Sequence, residues 1–230
     1  THNIIINYVY QNGTQAANPY TANIAEGQAF KATVQSPVVV GYEPDQKAVE
    51  INISAVTEPV TYTVTYLPAA VEYTVKHYQQ NVDDDKYTLA ETEPKTGLTE
   101  SAVGSGLAKS YDGFTALFYD TETKIAADGS TVVEVYYDRN YYMLSLNLDG
   151  GYGAEPVYAR YGALVDVPNP TKPGYNFAGW TPELPTTMPF GGGSYTAQWT
   201  AGQATYLVQY WQENANDDGY SYVNSEVRNA

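Results

Sequence analysis

The chain has 230 residues, 43% of them hydrophobic, and its 11 Lys and Arg against 26 Asp and Glu give a formal net charge of −15. Nucleic-acid phosphates and anionic lipid surfaces are bound through clustered Lys and Arg, so a chain this acidic is expected to bind no nucleic acid and to undergo no membrane insertion. Cys is absent, which excludes disulfides and thiolate metal sites, and no apolar run approaches the roughly 18 residues that a spanning helix needs.

The aromatic share is tilted to 24 Tyr against 5 Phe and 3 Trp. Tyr and Thr suit a pleated, half-buried surface, so strands are predicted. Residues 4–10 (IIINYVY) form the first, closed by Asn12-Gly13, a strong hairpin signal because both residues tolerate positive φ. Further strands are expected at 20–24, 30–34, 48–53 and 62–66, with a break at 37–41. Residues 1–69 thus read as one small β module.

The stretch YTVKHYQQNVDDDKYTLAETE at 73–93 returns as YLVQYWQENANDDGYSYVNSE at 206–226, 133 residues later. Recurrence at a fixed long period marks modules strung in series. The first copy opens a module over 70–140: strands at 73–80 and 87–93, a candidate short helix at 101–111, then strands at 114–119 and 132–137. Gly104 and Gly106 weaken that helix, each costing about 1 kcal/mol relative to Ala. The order β-β-(α)-β-β is that of a β-grasp. The second copy, within 201–230, reads as the truncated start of a further repeat of the 70–140 type, so the sequence reads as a window in a longer chain. Its hairpin is expected to pair with a neighbouring chain, fray, or pack on the preceding module, since an isolated hairpin is marginal.

Between the copies, residues 141–200 carry NLDGGYG at 147–153, PTKPGYNFAGW at 170–180 and YTAQW at 195–199. Tyr175, Phe177 and Trp180 are expected to supply core bulk to a unit too small to bury much surface otherwise, and Gly174 and Gly179 to be backbone requirements. This segment closely resembles the internalin B-repeat, or Listeria–Bacteroides repeat, with Gly150, Gly151, Pro170, Gly174, Tyr175, Phe177, Gly179, Trp180 and Trp199 in place. Residues 1–69 resemble the MucBP (mucin-binding-protein) repeats through Asn7–Thr14, Gly27, Gly41-Tyr42 and Val64-Thr65-Tyr66. Here Gln11-Asn12 stand where that family usually has Asp. Residues 70–140 look like a variant of the same unit. The fold class is then mainly β (α+β at module level), with tandem small β-grasp-like modules in an elongated array. The short linkers near 67–71, 139–142 and 200–204 lack Gly/Ser-rich composition and predict restricted motion.

Candidate chemistry is sparse. Asp83-Asp84-Asp85 could begin a Ca²⁺ site, but EF-hand spacing is missing and the repeat reads Asn216-Asp217-Asp218, so a solvated hairpin tip is expected. His2 and His77 fall in different modules, which argues against a shared metal site; Tyr210 stands at the repeat position of His77, so that position asks for an aromatic shape. Gly191-Gly192-Gly193-Ser194 lacks the Lys-Ser/Thr of a phosphate loop and reads as a turn. No catalytic, metal or cofactor-binding residue is assigned, no cofactor is expected, and the ligand-binding residues are unknown. The resemblances imply a bacterial, Gram-positive cell-wall or secreted surface protein. Its function would be adhesion to host glycoproteins, mucin, glycan or extracellular matrix, without enzymatic activity. The alternatives are a structural stalk that presents a distal adhesive domain and, from another class, a carbohydrate-active region with paired carboxylates.

Overall fold

A computed structural model describes all residues from Thr1 to Ala230. The chain is built of strands alone, sixteen of them, arranged as several small sheets in tandem. It is mainly β. No helix is long and apolar enough to cross a membrane.

The first strands are β1 (His2–Tyr10), β2 (Gln15–Ile24), β3 (Phe30–Gln35), β4 (Tyr42–Pro44), β5 (Ala48–Ile53) and β6 (Val60–Pro68). They form a four-stranded sheet in the order β2-β1-β6-β4 and a separate β3-β5 pair. β1 and β2 are antiparallel, whereas β1 and β6 run parallel with Ile4 opposite Val60 and Tyr10 opposite Tyr66. Alternation sends Ile4, Ile6 and Tyr8 of β1 and Val64 and Tyr66 of β6 to one face, where Val49 and Ile51 of β5 and Val56 cover them. The β1–β2 turn is not the two-residue turn that Asn12-Gly13 suggests. Gly13 alone takes positive φ, and Tyr10 both accepts from Gly13 N and donates to Thr14 O, so the loop holds three residues. Asn12 Oδ1 accepts from Thr14 N and Oγ1, which fixes that loop.

The second sheet uses β7 (Ala70–Gln80), β8 (Tyr87–Leu98), β9 (Phe114–Ala116) and β10 (Val132–Arg139) in the order β8-β7-β10-β9. The third uses β11 (Tyr141–Asn147), β12 (Val157–Arg160), β13 (Tyr175–Thr181) and β14 (Gly193–Ala201) in the order β12-β11-β14-β13. In both, the opening hairpin is antiparallel and the first strand lies parallel to the last. Three times, therefore, the chain makes a hairpin, crosses over and returns its last strand beside its first. That is the β-grasp-like arrangement expected, without its helix. The candidate helix at 101–111 does not form: the segment is irregular, with Gly104 at φ 73° and Gly106 at φ 91°, a conformation no right-handed helix admits.

The second core is Tyr73, Val75 and His77 of β7 and Val133, Val135 and Tyr137 of β10, closed by Leu107 and Ile125 from the crossover. The third centres on Leu144, Met188 and Tyr195, with Trp180 packed against it. Of the aromatics expected there, Phe177 and Trp180 are half-buried and Phe177 packs edge-on to both Trp180 and Trp199. Tyr175 is 48% exposed instead, its ring taken by Lys172 Nζ at 4.7 Å. Gly151 is needed because a methyl there would lie 2.5 Å from the Trp199 ring. Gly174 and Gly179 do have positive φ, Gly179 at a bulge in β13.

The last two strands, β15 (Thr205–Glu213) and β16 (Tyr220–Asn229), form a two-stranded sheet. By compactness the chain divides into two units. One holds residues 1–80, 86–110 and 116–138; the other holds 81–85, 111–115 and 139–230.

Candidate functional site

The residues singled out in the sequence do not converge. His2 reaches Glu26 at 2.6 Å, whereas His77 is buried with Nδ1 2.8 Å from the Tyr137 hydroxyl and Nε2 3.3 Å from Glu93. Glu93 also faces Lys109 at 3.0 Å and Lys95 at 3.3 Å. Lys109 foremost, then Lys95 and His77, hold its carboxyl down to about 2 against the cost of burial. Tyr137 accepts from Lys109 N, so this polar cluster ties β8 and β10 to the crossover. Buried polar groups satisfied in this way fix one arrangement of the strands.

The turn at Asp83-Asp84-Asp85 is exposed but is more than a solvated tip. Arg160 pairs with the Asp85 carboxylate and donates to the carbonyls of Asp84 at 2.8 Å and Val82 at 3.4 Å. No group of three or more His, Cys, Asp or Glu is placed to hold a metal ion. Gly191 and Gly192 make a turn with positive φ before β14, and a methyl at Gly192 would meet Met143 O.

What recurs with defined geometry is a backbone clamp at the end of each four-stranded sheet. A Gly-aromatic pair opens the edge strand each time: Gly41-Tyr42 at β4, Gly113-Phe114 at β9 and Gly174-Tyr175 at β13. All three glycines have φ between 76° and 80°, the left-handed region that disfavours a side chain. Each glycine carbonyl accepts from the residue that follows the last strand of its sheet: Ala69 N to Gly41 O at 2.9 Å, Asn140 N to Gly113 O at 2.8 Å, Gly202 N to Gly174 O at 2.9 Å. In the first two cases the carbonyl of that linker residue accepts in turn, Ala69 O from Thr99 N and Asn140 O from Tyr161 N. The donors follow directly on β8 and β12. A single linker residue is thus held by its N–H on one side and its C=O on the other.

Close packing reinforces the hydrogen bonds. A methyl at Gly41 would lie 2.6 Å from the backbone of Ala127, and one at Gly113 would lie 2.3 Å from the Tyr161 ring. Beside Gly41, Tyr42 packs on Tyr10 with centroids 4.7 Å apart. Burial first, and then its bond to the Glu100 carboxylate, push the Tyr42 hydroxyl up to about 12. Glu100 itself takes φ 62°, a conformation uncommon for a residue with a side chain and retained where surroundings enforce it. Beside Gly113, the Arg139 guanidinium sits 4.6 Å over the Phe114 ring and donates to Tyr161 O at 2.9 Å. The sequence reading singled out the first and third Gly-aromatic pairs separately and missed Gly113-Phe114. The available signal was a Gly-aromatic dipeptide opening β4, β9 and β13.

No protein-family model matches the chain, and no curated protein matches it. The MucBP and internalin B-repeat resemblances therefore rest on motifs alone. Among solved structures the chain is similar to domains 3–4 of the streptococcal high identity repeats in tandem (SHIRT) of a cell surface protein. The identity is 14% and the TM-score 0.22, over 61% of this chain and 99% of that one. A likeness at that level carries no inference about this chain.

Proposed function

We propose that the chain is a non-enzymatic repeat region of a bacterial cell-surface protein and that its role is to space. Each four-stranded sheet with its crossover is a module, corresponding to 1–69, 70–140 and 141–200, and 201–230 opens another. The two-sided clamp on Ala69 and on Asn140 carries this reading, with Gly202 held in the same way by its N–H. A linker residue bonded at both its N–H and its C=O leaves few soft torsions, and a joint that resists bending is what a spacer requires. The surface location rests on the MucBP and internalin B-repeat motifs. Because the chain has no Cys, Lys31→Cys on the β3-β5 pair of the first module and Thr92→Cys on β8 of the second supply two unique spin-label sites. Pulsed electron–electron distance measurement is expected to give one narrow distribution, broadened by Gly41→Ala. A broad distribution in the parent protein would sink the spacer role.

A second reading, adhesion to host glycan or glycoprotein, is favoured by one exposed patch. Tyr141 and Tyr158 stack at 5.3 Å on β11 and β12, at 49% and 70% exposure, with Met143 beside them. Exposed rings of this kind stack on apolar partners or sugars. Glycan-array binding that survives Tyr158→Ala would place adhesion elsewhere on the chain, and absence of binding by the unsubstituted chain would remove it.

A further inference from the structure

The two joints clamped on both sides match residue for residue. Ala69 and Asn140 each follow a last strand, and their carbonyls accept from Thr99 N and Tyr161 N. The next residue is Glu100 in one joint and Gly162 in the other. Both have positive φ, 62° and 79°, and each donates its N–H at 2.8 Å to the crossover that follows, to Ile125 O or Met188 O. The residue before the linker differs: Pro68 in the first joint, Arg139 in the second. Arg139 fills its joint. Its guanidinium lies over the Phe114 ring and donates to Tyr161 O, and its Nη1 is 3.1 Å from where a methyl at Gly162 would stand. In the third sheet the matching aromatic, Tyr175, carries Lys172 Nζ instead. Tyr175 N donates to Lys172 O as Tyr42 N donates to Val39 O, so the first module has Val39 at that cation's place as well.

The first joint has a cavity of about 240 Å³ walled by Tyr10, Gln11, Asn12, Tyr42, Pro68 and Glu100, and no Lys or Arg lines it. Tyr42 stands there for Phe114 and Glu100 for Gly162. A carboxylate is thus carried at a position whose backbone favours glycine, a strain that persists where surroundings or function require it. We infer that this cavity receives a guanidinium group, the arginine side chain of a partner polypeptide, in the place that Arg139 takes in the second joint. Tyr10 and Tyr42, with centroids 4.7 Å apart and rings tilted by 56°, offer faces to a delocalised cation. Glu100 keeps acceptor capacity beyond the Tyr42 hydroxyl, since a carboxylate has about four lone-pair sites, and a guanidinium forks onto such a group. The cavity is smaller than the roughly 300 Å³ at which sites for drug-sized ligands begin, so it takes one side chain. Charge selects the source. A net charge of −15 draws basic polypeptides, whereas free arginine would bring its α-carboxylate beside Glu100 with no cation in the wall to meet it.

The test is titration of the full chain, ¹⁵N-labelled, with N-acetyl-arginine amide. Saturable shifts confined to residues 10–14, 42 and 100 are expected, with a Kd of about 1 mM, the range open to one side chain. The neutral citrulline counterpart, the lysine counterpart and free arginine are each expected to bind about tenfold or more weakly. Glu100→Gly relieves the backbone as Gly162 does, so it is expected to resist urea at least as well as the parent and yet to lose binding about tenfold or more. Glu100→Gln, which keeps the shape of the side chain, is expected to show the same loss. Pro68→Arg supplies the guanidinium from the chain itself and is expected to exclude the probe. Absence of saturable binding, shifts spread over the acidic surface, equal binding by any of the three control probes, or full binding by either Glu100 variant would each overturn the proposal.

Discussion

At the scale of single residues, three glycines with the same backbone conformation separate two effects that usually come together. Gly41, Gly113 and Gly174 share positive φ, but only the first two have a neighbour where a methyl would go. Gly174→Ala is expected to cost about 1–2 kcal/mol, the strain of a left-handed residue with a side chain. Gly41→Ala adds a clash with backbone at 2.6 Å, which cannot swing aside, so it is expected to cost more and to loosen the joint. Urea unfolding of both variants measures the difference; equal costs would mean that the Ala127 contact contributes nothing. His77 and Tyr210 show another residue-scale rule. They occupy one repeat position, and each bonds to the same repeat carboxylate, Glu93 or Glu226. The position asks for a ring with a polar head rather than for an aromatic shape alone.

At the scale of elements, the polar cluster behind β8 links strand and crossover through charge. Glu93 ionises at about 2 in the folded protein against an ordinary 4.5. A depressed carboxyl contributes stability that is present above its unfolded value and lost as pH falls through the folded one. Acid should therefore weaken the β8-β7-β10-β9 sheet between about pH 4.5 and pH 2. Glu93→Gln is expected to lower the urea midpoint at pH 7 and to flatten its fall over that window. A variant with the parent's acid limb would remove Glu93 from the account. The strands themselves were legible: β1, β5, β7, β10 and the repeat hairpin announce themselves by alternation and turn residues. The three-residue strand β4 was not, because so short a segment carries no period. Within the crossover over 99–131, the small residues of 101–111 suggest a helix locally, while Gly104 and Gly106 take positive φ in a segment that covers the sheet.

At the scale of the whole molecule, three sheets of one topology and a separate hairpin make a chain whose stability is not one number. Multi-unit chains depart from two-state unfolding, and repeats contribute their own stabilities plus terms at the joints. Heating is expected to give more than one transition by calorimetry, with the β15–β16 signal, followed through Trp211, lost first. A single transition with coincident probes would show that the hairpin is as strongly coupled as the sheets. Gly41→Ala is expected to separate the transitions of the first and second sheets further, since it removes a term they share.

The sequence by itself determined the mainly β class, the tandem repetition and the recurrence of one hairpin at 73–93 and 206–226. These follow from period-two alternation, turn chemistry and self-similarity, all of which are local or internal to the chain. Only the tertiary structure decided that first and last strands pair in parallel, that Tyr175 leaves the core for Lys172, and that Ala69 and Asn140 are clamped on both sides. Each of these depends on groups brought together from distant positions, Gly41 against Ala127 or Gly113 against Tyr161, and no pattern within either segment records the other. The two copies of one hairpin make the same point: strands at matching repeat positions are core in one place and surface in the other, because burial belongs to the neighbours.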